Sequence, residues 1–271
     1  MDSNSEWPPA GPEVAPMAVE QQLPAPTGPA SYANPPWNGW DVTRIALLLF
    51  VLPFVVVPFV AFWAKRFFYP SLPWIAVAQK PWIALSTQFV WYLVILAYMI
   101  MFVEGTFHRR FWEAIQWNWP SRNWALLVPI GMLMVFFEGL ERFFKIPKHV
   151  PMEDFLSTPQ AALMTAIFAV TLGPLMEELF FRGFLYPILA RRFGVIASVL
   201  LTAAGFAIIH GAQLAFAWGL VFIIFLVGLV LTIVRAKTNS VGASFLVHVA
   251  YNSTIVAMGM IAARHGDKVA R

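Results

Sequence analysis

Cysteine is absent from this chain of 271 residues, and charge is scarce, with Asp, Glu, Lys and Arg making up 12% of it. The first absence removes disulfides, thiolate nucleophiles and cysteine-ligated zinc or iron–sulfur centres together. The second, set against 59% hydrophobic residues and a mean hydropathy of +0.69, excludes an ordinary soluble domain. There is no phosphate-binding loop, no dinucleotide fingerprint, no Gly-x-Ser-x-Gly elbow and no His-Glu-x-x-His. Internal repeats of fixed period, and the inverted repeats of transporters, are missing as well. The net charge of +4 comes from basic residues gathered at the ends of apolar segments, which suits a lipid bilayer interface and not a nucleic acid.

What is present is a run of membrane-grade segments. Residues 1 to about 38 hold nine of the 21 prolines, four acidic residues and no Lys or Arg, so they read as a disordered Pro-rich tail. That tail has no basic start followed by a short apolar core, so it does not read as a secretory signal peptide. Residues 39–271 form the transmembrane domain. Apolar stretches near the ~20 residues a bilayer requires run over about 44–63, 83–103, 124–144, 161–176, 195–210, 213–234 and 241–263. A short amphipathic piece lies over about 184–193. The expected fold is all-α, a polytopic transmembrane helical bundle of seven to eight membrane helices. With these boundaries the 18 Lys and Arg divide equally between the two sides, so the positive-inside rule gives no orientation.

Within this apolar background a few polar residues stand out. Glu177 and Glu178 follow an apolar stretch directly, with Gly173-Pro174 marking a kink ahead of them. A carboxylate at bilayer depth costs about 3 kcal/mol on insertion scales and is read as functional by default. Glu178 and Arg182 share a helical face and are expected to pair, which leaves Glu177 pointing elsewhere. Phe206 and His210 are one turn apart, as are His248 and Asn252, each pair in an apolar segment. Each residue has a plainer reading: Glu177 and His210 as interfacial residues at segment ends, His248 and Asn252 as hydrogen-bonding glue between helices. Together they suit water attack on an amide. A glutamate in a low-dielectric site serves as general base, a histidine orients the water, and neutral donors stabilise the oxyanion at about 3 kcal/mol each. No intramembrane serine is paired with a histidine at a telling spacing. His210, His248 and Glu177 could instead meet at one metal ion.

Glu177-Glu178-x-x-x-Arg182, Phe206-x-x-x-His210 and His248-x-x-x-Asn252, in order and in separate apolar segments, resemble the CAAX prenyl protease and bacteriocin-processing family of intramembrane glutamate endopeptidases. The resemblance covers about residues 160–263, the catalytic core. It implies an intramembrane endopeptidase in which Glu177 activates water with His210, while His248 and Asn252 form the oxyanion hole. Glu178, Arg182 and Phe206 are then supporting residues. No cofactor is expected, with zinc as the alternative, and the substrate is a membrane-embedded or lipidated peptide or protein. The setting implied is the plasma membrane of a bacterium. A non-catalytic scaffold or immunity protein of the same fold, and a transporter using Glu177 and His210 as a relay, are the competing readings.

Overall fold

The computed structural model describes residues 35–119 and 124–269. The regular elements of these residues are all helices, joined by short turns and loops, with no strand among them. The proline-rich leader lies outside the described residues as far as 34, and from Pro35 the chain is packed. Trp37 is almost wholly buried, packs at a tilt against Phe184 with ring centroids 4.6 Å apart, and donates from Nε1 to Phe184 O at 3.3 Å. Asn38 then opens α1 (Gly39–Val51) with a capping box. Its Oδ1 accepts from the Trp40 and Asp41 amides, while the Asp41 carboxylate accepts from the Asn38 amide.

Among the described residues six helices are long and apolar enough to cross a membrane. The first joins α1 to α2 (Pro53–Phe67), where Pro53 takes the first position of the second helix. Next come α3 (Pro81–Phe107) and a span that begins as α4 (Trp124–Leu133) and tightens into a 3-10 helix over Met134–Phe143. The fourth is a run of 51 residues, Pro159–Ile209. At ~1.5 Å per residue it would reach about 77 Å, against a hydrocarbon core of ~30 Å. It does not run straight. It comprises α5 (Pro159–Val170), α6 (Leu172–Glu178), a π-helix over Leu179–Leu185 and α7 (Tyr186–Ile209). The backbone leaves helical geometry at Thr171 (φ −125°, ψ −90°) and again at Gly194 (φ +76°), a value that favours glycine. Counting the run once is what makes six spans where seven to eight were expected. The anticipated Gly173-Pro174 kink falls slightly early, because Pro174 sits in the first turn of α6, where its missing N–H has no partner to lose.

The bundle closes with α8 (Trp218–Thr238) and α9 (Val241–Val269). Gly131 brings α4 against α9 so tightly that a Cβ there would strike Val247 O and meet Ala250 Cβ at 2.7 Å. Small residues at such crossings are how membrane helices gain contact, since lipid offers no hydrophobic drive between them. The main core gathers Ile45, Met99, Phe111, Leu179, Phe184 and Phe206 around the π-helix. Outward faces of α1 to α4 expose large apolar side chains, as a lipid-facing surface requires.

Candidate active site

Glu177 and Glu178 end α6, and because successive helical residues turn by about 100°, their carboxylates leave in different directions. Glu178 turns inward and has no exposed surface. Its Oε1 accepts from Arg182 Nη1 and from His248 Nδ1, both at 2.9 Å, and its Oε2 accepts from Ser244 Oγ at 2.5 Å. Arg182, equally buried, sends its other donors to Thr232 Oγ1 at 3.3 Å and Gly228 O at 3.1 Å, and its guanidinium lies 4.6 Å from the centroid of the Phe206 ring. The pair suggested by spacing is therefore the hub of four helical elements. The Arg182 backbone carbonyl, in the π-helix, accepts from the buried Arg235 on α8 at 3.1 Å. π-turns recur at functional sites because they free or redirect backbone groups.

Glu177 faces the other way and keeps 21% of its side chain exposed. Its Oε1 is 3.7 Å from His210 Nε2, and its Oε2 is 3.6 Å from His248 Nε2. Both separations exceed a direct hydrogen bond and suit a shared water. The proton positions follow from the other side of each ring. His210 Nδ1 lies 2.7 Å from Phe206 O, a carbonyl that can only accept, so Nδ1 carries the hydrogen. His248 Nδ1 faces the Glu178 carboxylate in the same sense. In the neutral rings both Nε2 atoms are therefore acceptors aimed at Glu177. Phe206 forms the wall between them, with ring centroids 4.7 Å from His210 and 5.9 Å from His248.

Glu177, His210, His248, Glu178, Arg182 and Phe206 thus converge on one centre. Asn252 does not share their hydrogen bonds. Its Nδ2 donates to Ala169 O at 2.7 Å, holding the end of α5 where the chain breaks at Thr171, and one amide hydrogen remains. Ser244, Thr232 and Gly228 were missed by sequence reasoning. Ser244 stands one turn before His248, as Asn252 stands one turn after, so a single face of α9 carries all three. That spacing was the available signal, although Ser244 Oγ turns to Glu178 Oε2 and Leu231 O and not to His248.

Among the described residues no group of three or more His, Cys, Asp and Glu side chains is placed to hold a metal ion. Zinc at this centre would take Glu177, His210 and His248, whose fixed Nδ1 hydrogens also suit metal-ligating histidines. Glu177 would then not be free to act as base. A cleft of about 100 Å³ reaches Glu177 between Leu49 and Phe50 of α1, Trp91 and Tyr92 of α3, and Met176, Phe180 and Phe181. A larger apolar groove of about 420 Å³ lies alongside, between α3 and α5, with Phe89, Phe168 and Thr171 in its lining.

Comparison with known proteins agrees with the motifs. Residues 159–254 match the family described as Type II CAAX prenyl endopeptidase Rce1-like, and every polar residue of the centre falls inside that segment. The family is one of proteases, so the match implies a hydrolase, here within an integral membrane protein. No curated protein and no solved structure matches the chain.

Proposed function

We propose that this Rce1-like chain is an intramembrane endopeptidase of the glutamate type, acting on a peptide bond of a membrane-associated or lipidated substrate. One observation carries the reading: a largely sheltered carboxylate, Glu177, with an imidazole Nε2 within 3.7 Å of each of its oxygens and both Nδ1 hydrogens committed elsewhere. A water between Glu177 and His210 donates one hydrogen to each, which turns its lone pair toward a carbonyl carbon in the cleft. Glu177 takes the proton as the C–O bond forms and returns it to the leaving amine as the C–N bond breaks. The fully buried Glu178–Arg182 pair stands behind this centre and fixes the His248 tautomer, a role that needs no contact with substrate.

His248 and the spare amide hydrogen of Asn252 are assigned to the oxyanion. Through Nε2 His248 donates only when its ring carries both protons, with Glu178 on one side and Glu177 on the other to balance that charge. The apolar wall of Leu49, Phe50, Met176 and Phe180 suits an apolar segment beside the scissile bond. The test is Glu177→Gln, which keeps volume and removes the base. Hydrolysis of a fluorogenic peptide ending in a prenylated C-a-a-X sequence is expected to vanish while the protein stays folded in detergent. Near wild-type cleavage by the purified variant would sink the glutamate mechanism.

A further inference from the structure

Two donors in the cleft wall come from α3, outside the segment that matches the protease family. Tyr92 lines the cleft together with Glu177. Its hydroxyl oxygen accepts from Gln88 Nε2 at 3.0 Å, one turn earlier on the same helix, and its ring packs on Phe168 at 5.6 Å. The acceptor side of the phenol is thus occupied, and among the described residues nothing takes its own hydrogen. Beside it the Trp91 indole N–H is buried with no acceptor at all among the described residues. An unmet buried donor costs about 1–3 kcal/mol, and such groups in a native site call for an absent partner. Meanwhile His210 and His248 offer only acceptors to the same space while their rings are neutral, so His248 serves the oxyanion only when doubly protonated, and half of the Asn252 amide is engaged by Ala169. A carbonyl oxygen that becomes an oxyanion needs the reverse: donors that are neutral, oriented and dry.

We propose that Tyr92 is a catalytic residue that donates its phenolic hydrogen to the scissile carbonyl oxygen of the substrate. As water adds to the carbonyl carbon and passes its proton to Glu177, the carbonyl π pair moves onto oxygen and the hydrogen bond it accepts from the Tyr92 hydroxyl shortens. When the C–N bond breaks, that pair reforms the carbonyl, the amine takes the proton from Glu177, and Tyr92 has kept its hydrogen throughout. Gln88 fixes the phenol's direction, and the Trp91 N–H stands ready for the same oxygen or the adjoining peptide carbonyl. The N-terminal half of the chain then completes a site whose base lies in the C-terminal half. This assignment rests on the hydrolytic reading of Glu177.

Full-length wild type, Tyr92→Phe and Glu177→Gln are compared in phospholipid vesicles with the same prenylated reporter peptide. Tyr92→Phe keeps the ring on Phe168 and is expected to lower kcat about a hundredfold with KM and thermal stability unchanged. Should the variant fold poorly, 3-fluorotyrosine at position 92 gives a stronger donor of nearly the same size, and kcat is expected to rise. Wild-type kcat in Tyr92→Phe, a change in KM alone, or no response to the fluorine overturns the assignment. In that case an inert Glu177→Gln leaves the glutamate mechanism standing. A wild type that does not cleave the reporter overturns both.

Discussion

Replacing Glu178 by Gln separates support from chemistry, and its size follows from the contacts. The carboxylate is wholly buried and accepts three hydrogen bonds, two of them from Arg182 and His248. Breaking a buried ion pair by neutralising one partner costs about 3–5 kcal/mol, because the other charge stays behind without compensation. Two details place the figure at the lower end. Glutamine retains an oxygen for one of the two cationic or ring donors, and its amide can turn to Ser244 Oγ. Arg182 also keeps Thr232 Oγ1, Gly228 O and the face of Phe206. A loss of about 3 kcal/mol corresponds to a fall in Tm of roughly 6–12 °C for a chain of this size. Glu177→Gln, by contrast, removes a partly exposed carboxylate with no direct hydrogen bond, so its Tm is expected to stay within about 2 °C of wild type. The assay is thermal unfolding in detergent followed by tryptophan fluorescence. The double variant Glu178→Gln with Arg182→Met should be less damaged than the two single losses added together, since no charge is then stranded. Equal Tm in Glu177→Gln and Glu178→Gln would refute the division of labour between the two carboxylates.

His248→Ala and Asn252→Ala are each expected to lower kcat about a hundredfold with KM nearly constant, measured by steady-state cleavage of the reporter. A raised KM at unchanged kcat moves that residue to substrate binding. Prolonged treatment with a membrane-permeant zinc chelator is expected to leave activity intact, with metal analysis finding far less than one ion per chain. Activity lost on chelation and restored by zinc alone would make Glu177, His210 and His248 ligands instead.

The Glu178–Arg182 pair was legible because a helix fixes which residues share a face, and that rule needs no knowledge of neighbours. The same rule applied to α9 reaches Ser244, His248 and Asn252, yet it does not say that Ser244 meets Glu178 or that Asn252 meets Ala169. Those partners are 66 and 83 residues away in the chain, and only the packing of α9 against α5 and α6 brings them close. Thr232 and Gly228 were hidden for a related reason: one is a serviceable helix residue and the other offers only its backbone carbonyl. Trp37 shows the limit of composition. Proline density assigned it to the tail, while its ring buries against Phe184 and Arg191 binds the Pro35 and Trp37 carbonyls. The division of the 159–209 run was legible at one break and displaced at the other: the amphipathic piece over 184–193 and the apolar stretch over 195–210 meet at Gly194, whereas the break at Thr171 falls inside the apolar stretch, ahead of the Gly173-Pro174 signal.

The placement of Glu178 and Arg182 on one helix also bears on how the chain is made. Their other partners, Gly228, Thr232, Ser244 and His248, lie 46 to 70 residues downstream. At ribosomal speeds of ~5–20 residues per second, those partners emerge about 2 to 14 s later. During that interval the nascent segment confronts the bilayer without them. A carboxylate and a guanidinium one turn apart can neutralise each other inside the segment itself, so the insertion machinery meets a dipole where it would otherwise meet two separate charges. An ion pair within one helix lowers the cost of presenting that segment to lipid before the last helices arrive, because it neutralises both charges locally.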